Sequence, residues 1–132
     1  MVRKTTPPDE KQVFWVGASK QELMRFPDAV RYAMGGAISV AQYGGKHPAA
    51  KPWKGEGPGV LEIVEDHHGN AYRAVYTVRF EDAVYVLYAF QKKSKAGIKT
   101  DQRDVENVSR RLKVAQAHYE ARHGKNENKE KN

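Results

Sequence analysis

Three groups of cationic side chains, well separated along the chain, are the residues best suited to chemistry. Lys51 and Lys54 stand in KPWKG, Arg73 stands in YRAVYTV, and a third group follows the last predicted strand in FQKKSK: Lys92, Lys93 and Lys95. Lysine and arginine bind phosphate oxygens and stabilise the negative charge that develops when a phosphate is attacked. If the ends of the strands bring these groups together, they form one cationic groove.

Aromatic residues are expected close to the same groove: Trp53, Tyr76, Tyr85 and Tyr88. Aromatic rings stack on unpaired bases, and cations bind the backbone phosphates between them. The combination is suited to single-stranded RNA. The formal net charge of +7 and a sequence pI near 9.6 also favour a polyanionic or acidic partner.

Each group also has a structural interpretation that the sequence leaves open. The three lysines of FQKKSK can be a charged run that protects a sheet edge. Arg73 can be a cross-strand partner of Glu62, because a short turn can place the two strands side by side. Trp53 and the strand tyrosines can belong to the core, since aromatic side chains bury large areas.

Several other classes of site are not supported by the sequence. The chain has no cysteine, and it lacks a phosphate-binding glycine loop, HExxH and GxSxG. His67 and His68 stand in a predicted hairpin turn, where polar residues collect, so no metal site is predicted. No apolar run reaches the roughly 18 residues of a membrane span, and MVRKTTPPDEK does not resemble a signal peptide. We expect a cytoplasmic protein that does not associate with membranes.

The elements that must position the cations follow from apolar periodicity and from turn residues. A strand is predicted at 13–16, and Ser19 with Glu22 has the spacing of a capping box at the start of a helix. Pro27 and Asp28 open a second helix, and a loop covers 46–59. The remaining elements are strands at 60–64, 72–78 and 84–90 and a helix from about residue 100 to His123 and Gly124.

The order β-α-α-β-β-β-α predicts the α+β class, with a small antiparallel sheet and helices packed on it. The first strand is expected at an edge or beside the last strand. Residues 1–11 are predicted to be a flexible arm, 12–123 a single domain, and 124–132 a disordered polar tail because GKNENKEKN has no apolar side chain.

The chain resembles the phage-related, HigB-like branch of the RelE/ParE toxin superfamily. The resemblance is carried by FWVG, KPWKG, GVLE, YRAVY, VYVLYAFQKKS and GIKTDQRDVENVSRRLKVA, and it covers roughly residues 13–123. It implies the toxin of a type II toxin–antitoxin pair, silenced by a helix-turn-helix, HigA-like antitoxin encoded nearby. Members similar to RelE enter the ribosomal A site and cleave mRNA.

In that reaction the ribose 2′-hydroxyl attacks the adjacent phosphate, which requires a base, cations and an acid but no metal. The resemblance therefore implies no cofactor. It also implies that Lys54, Arg73 and Lys92 are catalytic, with Arg73 as the phosphate clamp and Lys51 or Lys54 as a substrate-positioning residue or base. The residues expected to bind RNA are Lys51, Trp53, Tyr76, Lys93 and Lys95.

The general acid stays open between Tyr76, Tyr88 and a lysine. Two other functions also stay open: a non-catalytic RNA-binding or partner-binding protein, and a gyrase inhibitor like those on the ParE side of the superfamily.

Overall fold

The computed structural model describes the backbone of residues 10–93 and 101–131, and the side chains of 10–91 and 101–123. Its elements are β1 (Gln12–Trp15), α1 (Ser19–Met24), α2 (Asp28–Gln42), β2 (Ala50–Pro52), β3 (Val60–His67), β4 (Asn70–Thr77), β5 (Ala83–Lys93) and α3 (Gln102–Lys131). Most of the predicted arm at 1–11 lies outside the described residues, as does Lys95. The predicted α+β class is confirmed.

The five strands form one sheet in the order β1-β5-β4-β3-β2. The antiparallel meander of β3, β4 and β5 was predicted, and β1 occupies the predicted position beside the last strand. However, β1 runs parallel to β5, so the prediction of a wholly antiparallel sheet was wrong. The short strand β2, inside the predicted loop, was also missed; Lys51 there pairs with Glu62.

The β3–β4 hairpin has a two-residue turn, His68 and Gly69, with φ values of 51° and 82°. Two-residue hairpins of type I′ need positive φ at both positions, and glycine adopts such φ without steric cost. The turn fixes the register along the whole hairpin, from His67 opposite Asn70 to Val60 opposite Thr77. This register decides which side chains lie beside Arg73.

The sheet separates two hydrophobic clusters. Against α1 and α2 it packs mainly Ile63, Tyr72, Ala74, Tyr76, Val84 and Val86. Against α3 it packs mainly Val60, Val75, Tyr85, Leu87 and Tyr88, with Val108, Leu112 and Ala115 from the helix. One apolar stripe of α3 therefore packs on the sheet. Because side chains alternate along a strand, one residue of shift moves a side chain to the other cluster.

The predicted capping box at the start of α1 and the predicted end of α3 were both wrong. Helix α1 begins at Ser19 as predicted, but its N-cap is Ala18 and has no side-chain cap. The Ser19 hydroxyl instead donates to the Val86 carbonyl at 3.0 Å, which ties the helix to β5. Helix α3 continues past the predicted stop at His123 and Gly124 to Lys131. In the part of the chain that the structure describes, no helix is both long and apolar enough to span a membrane.

Candidate functional site

Three charged residues stand on neighbouring strands at the centre of the candidate site. Lys51 of β2 is opposite Glu62 of β3, while Arg73 of β4 is opposite Val64, two residues further along β3. Arg73 Nη1 donates to Glu62 Oε1 at 2.8 Å, and both side chains are largely buried. The alternative in which Arg73 is a cross-strand partner of Glu62 is thus confirmed as a contact, made diagonally between the strands.

The guanidinium of Arg73 keeps donors that this contact does not use. Arginine has five N–H groups, and the bond to Glu62 is its sole side-chain hydrogen bond among residues 10–91 and 101–123. Its Nε is buried and has no hydrogen-bond partner in the same part of the chain. Since an unpaired buried donor costs roughly 1–3 kcal/mol, a ligand that accepts from Arg73 would recover free energy.

The backbone brings the third cationic group beside Arg73. In β5, Phe90 is opposite Arg73, and Lys92 follows two residues later, opposite Ala71. Two residues along a strand span about 7 Å. Lys93 pairs with Asn70 at the last position of β5, and the side chains of both lysines lie outside the described ones. The predicted convergence of Arg73 with this group therefore holds for the backbone.

The first cationic group is divided between a strand and a loop. Lys51 is exposed on β2, whereas Lys54 is exposed in the turn that follows the strand. Trp53 stands between them, and its backbone N–H donates to the Val60 carbonyl at 2.8 Å, which extends the β2–β3 pairing by one bond. The sheet register thus places Lys51 beside Glu62 but leaves Lys54 in the loop.

The prediction that Trp53 and Tyr76 contact RNA conflicts with their burial. Trp53 is 4% exposed and packs edge-on against Phe90, with ring centroids 6.4 Å apart. Tyr76 is fully buried in the cluster under α1 and α2, on the other side of the sheet from Arg73. Alternation along β4 places residues 73 and 76 on opposite faces. Neither ring is available to stack on a base in this structure.

Phe90 is the aromatic residue that lies at the site, and the sequence analysis missed it. It is partly exposed, opposite Arg73, and stacked on Tyr88 with centroids 4.9 Å apart and an interplanar angle of 22°. The signal that could have identified it is the β4–β5 register. A bulge between Val75 and Tyr76 shifts that register, and the shift cannot be read from the sequence.

Tyr88 is poorly suited to act as the general acid. Its hydroxyl donates to Asp104 Oδ1 at 2.8 Å and accepts from Asn107 Nδ2 at 3.1 Å, both in α3. Burial, together with the hydrogen bond to Asp104, raises the pKa of Tyr88 above its ordinary value. Burial likewise raises the pKa of Tyr76. Tyr76 and Tyr88 are therefore unfavourable as the general acid, and a lysine in this role remains a prediction.

An ion pair between α1 and α3 lies close to this site and contacts Tyr88. Arg111 donates from Nη1 and Nη2 to the two oxygens of Glu22, each at 2.9 Å, and from Nη1 to the Leu87 carbonyl at 3.0 Å. Its guanidinium also lies 5.0 Å from the centre of the Tyr88 ring. Glu22 Oε1 in turn accepts from the Ala89 N–H at 3.2 Å.

Arg111 stands in the polar stretch SRRLK of the last helix, yet it is not solvated. The side chain is 14% exposed. It lies at the edge of β5 beyond the end of β1, whose last pair is Trp15 with Val86, so that no strand lies beside the Leu87 carbonyl and the Ala89 N–H. Arg111 and Glu22 satisfy those groups. The partners are 89 residues apart, and no local pattern signals the contact.

Within the described residues no group of three or more His, Cys, Asp or Glu side chains could hold a metal ion. His67 and His68 lie at the tip of the β3–β4 hairpin, with ring centroids 4.2 Å apart. Metal-independent activity remains a prediction.

In comparison with solved structures, the fold of this chain is similar to that of RelE toxins. A mutant of the E. coli toxin RelE in the free state is similar with a TM-score of 0.50 and 20% identity, covering 80% of this chain and 97% of that chain. The isolated E. coli RelE toxin has a TM-score of 0.49 at 20% identity, covering 76% and 97%. The toxin–antitoxin complex RelBE2 from Mycobacterium tuberculosis has a TM-score of 0.43 at 16% identity, covering 63% and 99%.

The family is given by the sequence itself. Residues 21–113 match the family described as Phage derived protein Gp49-like (DUF891). The chain belongs to this Gp49-like family, and the resemblance to the RelE superfamily of toxins is confirmed. No curated protein gives a significant match to the sequence. The narrower HigB-like assignment remains a prediction.

Proposed function

We propose that this chain is the toxin of a type II toxin–antitoxin pair and that it cleaves mRNA on the ribosome without a metal cofactor. The observation that carries the proposal is Arg73: a largely buried guanidinium with unused donors, between Lys51 on one side and the backbone of Lys92 on the other. The Gp49-like family and the RelE-like fold support the same function.

In the proposed reaction, the O2′ of a ribose attacks the adjacent phosphorus and the bond from phosphorus to O5′ breaks. A base removes the proton of the 2′-hydroxyl, and an acid returns one to the leaving O5′. The products are a 2′,3′-cyclic phosphate and a 5′-hydroxyl. Arg73 binds the phosphate oxygens, whose negative charge increases in the transition state.

The lysines divide the remaining roles. Lys54, exposed in the loop after β2, is proposed to contact the reacting ribose as base or positioning group, and Lys92 to stabilise the phosphate or protonate the leaving oxygen. Lys51, Lys93 and Lys95 are proposed to bind the RNA backbone on either side. This set contains no group that requires a metal.

Glu62 holds Arg73 in place and also competes with the substrate for it. The carboxylate fixes the guanidinium through one bond, so the remaining donors are oriented before the phosphate arrives. Because a carboxylate repels phosphate, the site needs nearby cations, and Lys51 directly opposite Glu62 supplies one. RNA binding should therefore weaken as the salt concentration increases.

The proposed partners are the ribosome, mRNA and a helix-turn-helix, HigA-like antitoxin encoded nearby. Toxin and ribosome would meet in the cytoplasm. The formal charge of +7 favours association with the polyanionic ribosome and with an acidic antitoxin segment.

One observation favours a second function, that of a non-catalytic RNA-binding or partner-binding protein. Arg73 is already paired with Glu62, and an arginine whose charge is balanced by a carboxylate can act only to stabilise the sheet. In that case replacing Arg73 would alter stability or binding, and no new RNA ends would form.

Induced expression tests these functions directly. We expect translation to stop, growth to be rescued by the neighbouring antitoxin gene, and new transcript ends to map within codons. Arg73→Ala and Lys54→Ala should strongly reduce the new ends. Arg25→Ala removes the same charge from an exposed position, the C-cap that follows α1, and should retain them. Intact transcripts with growth arrest would contradict cleavage; gyrase trapped on DNA would then support the function of ParE.

A further inference from the structure

The loop that carries Lys54 contains backbone that is easily disordered. Between Trp53 and Val60 it has glycines at alternate positions, Gly55, Gly57 and Gly59, with φ values of 103°, 82° and 89°. Glycine loses more conformational entropy on ordering than any other residue. A loop of this composition therefore needs external contacts to hold Lys54 in one place.

Both ends of the loop are fixed by the sheet. At the start of the loop, the backbone N–H of Trp53 donates to the Val60 carbonyl at 2.8 Å. At its end, the Gly59 carbonyl accepts from the Val78 N–H at 2.8 Å and from the Thr77 hydroxyl at 2.7 Å. These bonds leave the middle of the loop, residues 54–58, to be held by other groups.

Among the residues that the structure describes, Arg79 alone supplies side-chain hydrogen bonds to that middle. Its Nη2 donates to the Glu56 carbonyl at 2.5 Å and to the Pro58 carbonyl at 3.1 Å, while Nε donates to the Pro58 carbonyl at 3.3 Å. The guanidinium thus connects two carbonyls of the loop from outside it. Lysine has no planar fork and cannot reproduce this arrangement.

The approach of Arg79 depends on the absence of a side chain at position 59. A Cβ built on Gly59 would lie 3.0 Å from Arg79 Cβ and 3.2 Å from its Cα, closer than such atoms normally come. The Thr77 hydroxyl, fully buried, accepts from the Arg79 N–H at 3.1 Å and so fixes the backbone from which the guanidinium extends. The contact is therefore built from residues of both segments.

We propose that Arg79 is a positioning residue: it clamps the 53–59 loop so that Lys54 is presented to the RNA. The inference rests on the proposed function, in which Lys54 contacts the substrate. Arg79 itself does not contact the reacting atoms. Its exposed side chain makes it suitable for mutation, since removal deletes hydrogen bonds to the loop without opening the hydrophobic core.

A double-mutant cycle between Arg79 and Lys54 tests the proposal, with ribosome-dependent cleavage of a defined mRNA as the readout. Arg79→Ala should lower kcat/KM about 10-fold, because a misplaced positioning group costs on that order. In a Lys54→Ala background the same replacement should have no further effect. Arg79→Lys should recover part of the loss, and Arg25→Ala should leave kcat/KM unchanged.

Amide hydrogen exchange of residues 53–59 provides a readout that does not depend on activity. Exchange should become faster in Arg79→Ala and stay normal in Lys54→Ala, while the urea midpoint changes little. If the effects of Arg79→Ala and Lys54→Ala multiply, or if Arg79→Ala cleaves normally, Arg79 does not act through Lys54 and the inference is wrong. If the wild-type chain cuts no RNA at all, the proposed function itself fails, and the inference fails with it.

Discussion

Two arginine–glutamate pairs in this protein are buried to a similar degree but are used differently. Arg111 contacts both oxygens of Glu22, the Leu87 carbonyl and the face of Tyr88. Arg73 makes one bond to Glu62 and leaves its buried Nε without a partner among the described residues. The side chains of the two arginines are 14% and 19% exposed, so burial alone does not separate them.

The difference lies in how much hydrogen-bonding capacity remains. Three hydrogen bonds to protein groups use most of the five donors of Arg111, which can stabilise the fold but has few donors left for a ligand. A guanidinium held by one bond is oriented and still able to bind two phosphate oxygens. The comparison indicates that Arg111 has a structural role and that Arg73 is the arginine available for function.

The largest expected effect on stability is that of Arg111→Ala. The replacement leaves the partly buried Glu22 carboxylate without its partner, and it removes the donor that bonds the Leu87 carbonyl. We expect the free energy of unfolding to fall by about 3 kcal/mol. Urea denaturation measures this loss. Arg73→Ala, which removes one charged hydrogen bond to Glu62 and no bond to a backbone carbonyl, should cost about 2 kcal/mol in the same assay.

If Arg73→Ala were as destabilising as Arg111→Ala, the two pairs would be structurally equivalent and the comparison would fail. A further control is Glu22→Gln with Arg111→Ala. The double variant should be less destabilised than the sum of the single variants, because the two residues share one network.

A smaller effect is expected for Tyr76→Phe. The Tyr76 hydroxyl is buried and has no hydrogen-bond partner in the described part of the chain. Its removal eliminates the cost of keeping that group from water, so the free energy of unfolding should stay the same or increase by up to about 1 kcal/mol. Cleavage should be unchanged. Selective loss of RNA binding in a stable Tyr76→Phe protein would show instead that the Tyr76 hydroxyl takes part in RNA binding.

No effect is expected when divalent metals are chelated from the protein before it is added to intact ribosomes. The proposed chemistry needs a base, an acid and cations from the chain itself. Activity measured after dialysis against a chelator checks this. Recovery of a lost activity by added zinc would contradict it.

Much of the fold could be predicted because it depends on local signals. The alternating apolar residues of the meander, the stripe of α3 and the start of α1 at Ser19 are all visible in the sequence. The parallel pairing of β1 and the short strand β2 were missed, since they depend on contacts between distant segments. The capping interpretation of Glu22 failed because tertiary contacts with Arg111 and Ala89 replaced the local one.

The candidate site was predictable in its cations but not in its aromatic residues. Arg73 stands within the predicted meander, and Lys51 stands on β2, on the other side of β3 from the strand of Arg73. Tyr76 was predicted at the groove with Arg73, although alternation along β4 places the two residues on opposite faces. Phe90 lies beside Arg73 because of the β4–β5 register, and a single sequence gives no measure of that register.

The central claim is that the free donors of Arg73 clamp phosphate during cleavage, and Arg73→Lys tests it most directly. Lysine keeps the charge but loses the bidentate geometry. Cleavage by the folded variant should fall roughly 100-fold or more, the scale of removing one preorganised donor from an anionic transition state, while ribosome binding changes little. Arg103→Lys, an equal exchange at an exposed position of α3, should cleave near normally. A stable Arg73→Lys protein that binds ribosomes and cuts mRNA at the normal rate would contradict the account.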